Sequence, residues 1–315
     1  VVSCEEVNER LPEVHVIPPP RLEPGARVAV VAPASPVPRA DFAAGAAILG
    51  ARYRLVHDER IFTRDGFLAG SDEERTAELQ RALDDPAIAA IFCARGGYGL
   101  TRILDRLDGR SFAAAPKPIV GFSDVTALHA WAGRADVMSV HGPVVTQLAK
   151  IPEADVTALW QLLESPAPPP FPAPLTAVVS GRAEARLAGG NLEVLSRLLG
   201  TPHAADLHDT ILVLEEIGER PYRMDRALTQ LIKSGALATV RGVIVGDLVD
   251  CGKPDDMPTA LGVVIERLTT LGVPVATGAP IGHGGSNCPL PIGARARLDV
   301  QADGAALVLL EGAVR

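Results

Sequence analysis

The sequence predicts an α/β protein: a parallel, doubly wound sheet in the first half and a second α/β unit beyond a proline-rich break. Two observations predict it. Short continuous runs of apolar and β-branched residues alternate with segments of helical periodicity, the pattern of strands buried on both faces and joined by crossover helices. Residues 166–174 then read Pro-Ala-Pro-Pro-Pro-Phe-Pro-Ala-Pro, which continues neither a helix nor a central strand and is read as a stiff linker. A chain of 315 residues is long enough for two domains with good cores. The expected layout is an extension over 1–20 (poorly ordered, with Pro18-Pro19-Pro20), a first domain over 21–150, a linker over 151–176 and a second domain over 177–315.

The first strand is Arg27–Ala32, stopped by Pro33-Ala-Ser-Pro36, and Asp41–Leu49 is helical in pattern. Tyr53–His57 is a second strand, and Ser71-Asp-Glu-Glu74 is a capping box ahead of a helix over Arg75–Leu83. Ile88–Cys93 is a third strand that runs into Arg95-Gly-Gly-Tyr-Gly99, and Leu100–Leu107 reads as a helix. Ile119-Val120 ends a fourth apolar run, and Gly121-Phe-Ser-Asp124 turns into a helix carrying Val125, Leu128, Ala130 and Trp131. Val137–Leu148 adds a strand and a turn around His141-Gly-Pro143. Beyond the linker, Ala177–Arg186, Thr210–Glu215, Val240–Val249 and Val273–Thr277 read as strands. Helices fall at Leu192–Leu199, Asp225–Ser234 and Thr259–Leu271, and Ala294–Leu310 forms a terminal hairpin.

Composition narrows the function. Hydrophobic residues at 47% and charged ones at 22% describe a soluble globular protein, and a net charge of −8 argues against a nucleic-acid partner. No apolar run approaches a membrane span, and no signal peptide is visible. Cys4, Cys93, Cys251 and Cys288 are scattered, as buried or free thiols in a reducing compartment are. No His or Cys cluster has metal-ligand spacing, and the glycine loop lacks the dinucleotide spacing, so no cofactor is expected.

Four places bring a glycine or an acid to the end of a buried strand, where open α/β sheets place ligands. Ser123 sits in a strand–turn–helix sequence, the geometry of a nucleophile elbow, although Val125 replaces the second glycine of that motif. Ser123-Asp124 reads equally as an N-cap followed by a first-turn acid. Gly96-Gly97 let the backbone approach an anion, or simply make a tight turn. Glu215-Glu216 follow directly on an apolar strand, and alternation sends them to opposite faces. His283 lies among glycines with no helix face to pack, unlike His129 and His141, which read as structural. Serine, acid and histidine at separate strand ends are the ingredients of a hydrolytic triad, because a neutral serine needs a base and the base an acid to orient it.

The motifs resemble the LD-carboxypeptidases, serine peptidases that trim murein tetrapeptides, together with their microcin-immunity relatives. The resemblance rests on Val31-Ala-Pro-Ala-Ser-Pro36, Asp65-Gly-Phe-Leu-Ala-Gly-Ser-Asp72, Ala94-Arg-Gly-Gly-Tyr-Gly99, Gly121-Phe-Ser-Asp-Val-Thr126, Gly189-Gly-Asn-Leu192, Leu214–Arg223 and Gly282-His283, in order from about Pro20 onward. It implies a Rossmann-like N-terminal domain, a smaller C-terminal α/β domain with a β-rich end, and a cytoplasmic homodimer. It assigns Ser123 as nucleophile, His283 as base and Glu215 as the orienting acid, with an oxyanion hole from the backbone of Asp124 and of Gly96 or Gly97. The implied substrate is a murein tetrapeptide that loses its terminal D-Ala. Arg95, Arg223 and Asn191 are the candidate substrate contacts, with Arg95 alternatively paired to Asp124. The other readings are a microcin-immunity type peptidase acting on aminoacyl-nucleotide amides, and a non-catalytic binder of a small anion.

Overall fold

The computed structural model describes residues 16–172, 174–253 and 256–315. Residues 1–15, which hold Cys4 and most of the expected extension, lie outside the described residues. In chain order the first half comprises β1 (Arg27–Val31), α1 (Arg39–Gly50), β2 (Arg54–Val56), α2 (Asp72–Asp84), β3 (Ala90–Cys93), α3 (Gly109–Ala114), β4 (Ile119–Gly121), α4 (Thr126–Arg134), β5 (Ser139–His141) and α5 (Glu153–Glu164). The second comprises β6 (Thr176–Val179), β7 (Gly181–Asn191), α6 (Leu192–Leu198), β8 (Thr210–Ile217), α7 (Pro221–Lys233), β9 (Gly242–Val249), α8 (Ala260–Thr269), β10 (Val275–Thr277), β11 (Leu290–Ile292), β12 (Arg295–Gln301) and β13 (Gly304–Leu309).

Two sheets result, of six and seven strands, in the orders β11-β5-β4-β3-β1-β2 and β13-β12-β7-β8-β9-β10-β6. The first is parallel except for β11, and the second has a parallel centre, β7 to β10, with antiparallel strands at both margins. The β-branched runs follow from burial on both faces. Val28 and Val30 enter one core with Phe42, Leu49, Leu159 and Leu162, whereas Ala29 and Val31 enter the other with Leu79, Leu83 and Leu128. No helix among the described residues is long and apolar enough to cross a membrane.

Helix α2 does more than cover the sheet. Its capping box forms as expected: Glu74 N–H donates to Ser71 Oγ, and Ser71 N–H donates to Glu74 Oε2. That fixes the first turn, from which fully buried Arg75 donates to the carbonyls of Pro33 and Gly99. One turn on, Glu78 accepts from the Ala32 N–H at 2.9 Å. A single helix thus pins the loops at the carboxyl ends of β1 and β3.

Four expectations are revised. Leu100–Leu107 is not an α-helix but two 3-10 turns, Leu100–Arg102 and Leu104–Arg106, because its N–H groups bond three residues back rather than four: Ile103 to Leu100, Arg106 to Ile103 and Leu107 to Leu104. The stretch 151–176 is not all linker: Val156, Leu159, Leu162 and Leu163 recur on one face, and α5 buries them in the first core. The single strand expected over Ala177–Arg186 is two, since β6 pairs with β10 at the sheet edge while β7 lies between β12 and β8. Finally, β11 leaves the second half of the chain to pair antiparallel with β5, and Ala313 and Val314 pack in the first core.

The cap gives a stability test. Ser71→Ala is expected to cost about 1 kcal/mol by removing one acceptor from the first turn of α2. Chemical denaturation at neutral pH measures it, and a loss below about 0.3 kcal/mol would show that Arg75 and Glu78 hold the helix without the cap.

Candidate active site

After β4 the chain turns sharply. Phe122 is extended, Ser123 has φ +66°, and a 3-10 turn over Ser123–Val125 leads into α4. A left-handed serine is strained by about 1–3 kcal/mol, so its surroundings must over-determine it. They do. The Gly121 carbonyl accepts from Gly142 N–H at 3.0 Å and from His129 Nε2–H at 2.8 Å, while His129 Nδ1 lies 2.8 Å from Ser139 Oγ and accepts its proton. Burial pushes the His129 pKa down to about 4, which suits this neutral structural role. A Cβ on Gly96 would stand 2.8 Å from Ser123 Cβ, so the glycine loop can close on the serine only because that side chain is missing.

Asp124 ties the same two loops together. Its buried carboxylate accepts from Leu100 N–H at 2.9 Å, and burial raises its pKa to about 6. The alternative pairing of Arg95 with Asp124 does not form, because Arg95 Nη1 donates instead to the Pro36 carbonyl at 2.7 Å. Ser35 braces the loop from the other side: its N–H donates to the Gly96 carbonyl at 3.2 Å, and its Oγ accepts from Tyr98 N–H at 3.1 Å. None of the described cysteines competes as a nucleophile, since burial pushes Cys251 up to about 11, Cys288 up to about 12 and Cys93 higher still.

The end of β8 separates the adjacent acids as alternation requires. Glu215 is fully buried, and its Oε2 lies 2.7 Å from His283 Nδ1. A Cβ on Gly282 would come within 2.8 Å of that oxygen, which accounts for the glycine before the histidine. Glu216 faces α6 and accepts from Asn191 Nδ2, Glu193 N–H and its neighbour Ile217 N–H at 2.8–2.9 Å. Burial still raises its pKa to about 7.

Asn191, expected at the substrate, is spent within the fold. It is buried, its Nδ2 goes to Glu216, and its Oδ1 caps α6 by accepting from Val194 N–H at 3.1 Å. Its backbone N–H donates to Thr126 Oγ1 at 2.9 Å, joining the starts of α6 and α4. Arg223 is exposed on α7, 3.6 Å from the Glu219 carboxylate.

The His283 ring lies 4.6 Å, centroid to centroid, from that of Phe122, the residue next to Ser123. Histidine and serine are thus neighbours, although Ser123 Oγ makes no hydrogen bond to His283 among the described residues. His141 lies behind Phe122 at 5.9 Å, fully buried, with its pKa pushed down to about 3 by burial. Sequence reading missed four residues that hold the histidine loop. Asp247 accepts from Gly284 N–H at 3.1 Å, Asn287 braces the loop from within by accepting from Gly282 N–H, and Gln147 and Asp155 bind it from the other side. An acid inside the apolar strand Val240–Val249 was the available signal for Asp247, whereas nothing in pattern or spacing marks the other three.

Comparisons with known proteins agree on one family. The LD-carboxypeptidase N-terminal domain matches residues 28–142, and the LD-carboxypeptidase C-terminal domain matches residues 184–298. A putative carboxypeptidase of Streptomyces coelicolor is 41% identical over 89% of this chain and 93% of its own length. The murein tetrapeptide carboxypeptidase of Pseudomonas aeruginosa is 34% identical over 87% and 93%. Among solved structures, the muramoyltetrapeptide carboxypeptidase of Oxalobacter formigenes superposes with a TM-score of 0.76 at 29% identity, covering 91% of this chain and 100% of that one. The microcin C7 self-immunity protein in complex with aspartyl sulfamoyl adenosine has a TM-score of 0.86 at 20% identity over 95% and 100%, a likeness of fold.

Asp124 supplies a pH test. A carboxyl whose pKa rises on folding contributes stability that is full below its unfolded pKa, near 4, and lost as pH rises through about 6. Asp124→Asn keeps an acceptor for Leu100 N–H and removes the titration. The variant-minus-wild-type stability is therefore expected to rise between pH 4 and pH 7 by about 2 kcal/mol. Denaturation at pH 4, 5.5 and 7 measures it, and a flat difference would refute the assignment.

Proposed function

The chain belongs to the LD-carboxypeptidase family, and from that premise we propose that it is a serine carboxypeptidase releasing the terminal D-Ala of murein tetrapeptides by hydrolysing the LD-amide bond. The observation that carries the reading is the hydrogen bond of His283 Nδ1 to Glu215 beside an elbow serine in the left-handed region. On this reading Glu215 fixes the tautomer in which Nδ1 bears the proton, leaving Nε2 free to act as the base. Ser123 Oγ attacks the carbonyl carbon as Nε2 takes its proton, and the proton passes to the departing D-Ala amine. A water, deprotonated by Nε2, then releases the acyl group.

Two features suit the charges that develop. The oxyanion falls to the N–H of Asp124 and the N–H of Gly97 or Gly96, which the loop brings against the serine. Among the described residues Glu215 Oε1 is buried without a hydrogen-bond partner, and on this reading the carboxylate stabilises the imidazolium that forms on His283. For the substrate's free carboxylate the reading assigns Arg95, whose guanidinium is steadied at Nη1 by the Pro36 carbonyl. In the cell the reading has the protein acting as a cytoplasmic homodimer on peptides recovered from the wall.

Mass spectrometry of a muropeptide mixture incubated with the protein tests the substrate: loss of one alanine from tetrapeptides is expected. Cleavage of an aminoacyl sulfamoyl nucleotide, with tetrapeptides untouched, would move the chain to the microcin-immunity type. Ser123→Ala is expected to lose about three or more orders of magnitude in kcat with the fold retained. Turnover within tenfold of wild type would remove Ser123 from the mechanism.

The two acids are expected to separate in steady-state kinetics. Glu215→Gln costs about three to four orders of magnitude by setting the wrong tautomer, whereas Glu216→Gln is mild. The reverse ranking would exchange their roles. Arg95→Ala is expected to raise KM and abolish discrimination between free and amidated C-termini; an unchanged preference for the free acid would exclude it as the anchor.

A further inference from the structure

Ser123 follows β4 of the first sheet, whereas His283 lies in the segment between β10 of the second sheet and β11 of the first, and three polar contacts close around Gly282, the residue before it. The Gly282 N–H donates to Asn287 Oδ1 at 3.0 Å, Asn287 Nδ2 donates to Gln147 Oε1 at 2.8 Å, and Gln147 Nε2 donates back to the Gly282 carbonyl at 3.3 Å. The three bonds close a ring around the peptide groups immediately before the histidine. Asn287 is fully buried, and its backbone N–H donates to Asp155 Oδ2 at 2.8 Å, which also accepts from Ser286 Oγ at 2.6 Å. Gln147 ends the 3-10 turn Val145–Gln147 and Asp155 lies in α5, both packed on the first sheet, whereas Gly282 and Asn287 bracket His283 in the segment between β10 and β11.

We infer that Gln147 and Asn287 form a positioning clamp that registers His283 on the nucleophile, an inference that rests on the Ser123–His283 reading above. Glu215 orients the imidazole from the second sheet but says nothing about where the ring stands relative to the first. The clamp supplies that second reference. Both amides are needed, because each must donate and accept in a fixed sense. Asn287 Oδ1 takes the Gly282 N–H, so Nδ2 must face Gln147, which must present Oε1 to it and Nε2 to the carbonyl. A carboxylate has no donor and a thioether no useful one, so neither closes the ring. Asn287 and Gly282 are buried, so opening the ring leaves polar groups of the loop unpaired and free to shift. Proton transfer from Ser123 to His283 is sensitive to a displacement of about 1 Å, which typically costs up to about 100-fold.

Gln147 is partly exposed, so Gln147→Met and Gln147→Glu are the primary variants, and Asn287→Asp, which keeps the Oδ1 acceptor but loses the donor, is the second. Each is assayed for kcat and KM on a murein tetrapeptide and for the rate at which a fluorophosphonate probe labels Ser123. The expected result is a fall in kcat of about 10- to 100-fold with KM within about threefold, and a matching fall in labelling rate. Rates are read at a temperature well below each variant's melting point, where a role in packing alone leaves kcat at the wild-type value. A wild-type kcat and labelling rate in Gln147→Met, or a change confined to KM, overturns the clamp. Failure of the wild type itself to be labelled or to turn over would overturn the Ser123–His283 reading and the clamp with it, so the two failures are distinguishable.

Discussion

The antiparallel pairing of Leu290–Ile292 with Ser139–His141 is the contact on which the site depends. Ser123 stands at the end of β4 and Glu215 at the end of β8, in separate sheets, and two packed sheets need not keep their edges in register. Placing β11 at the edge of the first sheet, one strand from β4, makes the second half of the chain part of the same hydrogen-bonded frame. The segment between β10 and β11 is then held at both ends, with one end in each sheet. A loop so fixed has few conformations left, and a handful of side-chain bonds is enough to select one.

Those bonds are made by buried or half-buried polar groups, and their chemistry follows a common plan. Asp124, Glu216, Asp247, Asn191 and Asn287 each accept a backbone N–H at a loop or helix start. Such bonds offset part of the cost of removing a carboxylate from water, but not all of it. The raised pKa values near 6 at Asp124 and near 7 at Glu216 register the remainder, as does the upward shift that burial imposes on Asp247. The protein therefore carries several uncomfortable carboxyl groups around the serine and the histidine. They sit where the backbone must be held at an angle that ordinary strands and helices do not provide, the left-handed Ser123 being the sharpest case.

Much of this was legible in the chain because its signals are local. The β-branched runs placed strands, since residues buried on both sides of a parallel sheet leave no polar face. Ser71 and Glu74 announced a helix start by their spacing alone, and the adjacent acids at the end of β8 announced a division of labour by alternation alone. The failures were also local. Leu100–Leu107 has the spacing of a helix, yet it lies between the Gly99 turn and the Asp108 cap and stays in short turns. The proline run drew the linker too early, across residues whose apolar stripe belongs to α5.

By itself the sequence determined most of the strands and helices, though not α5 or the division between β6 and β7, and it marked a serine, an acid and a histidine at strand ends as the ingredients of a triad. Only the tertiary structure decided who meets whom. The spacing of a chain encodes periodicity along one element, but 68 residues separate Glu215 from His283 and 140 separate Gln147 from Asn287. Contacts at such distances are set by strand order and by the return of β11 to the first sheet. Tertiary structure likewise decided that Asn191 is a helix cap and that Arg95 leans on Pro36 rather than Asp124. A polar side chain declares its chemistry in the sequence, but its partner is chosen by whichever backbone group the fold leaves unpaired beside it.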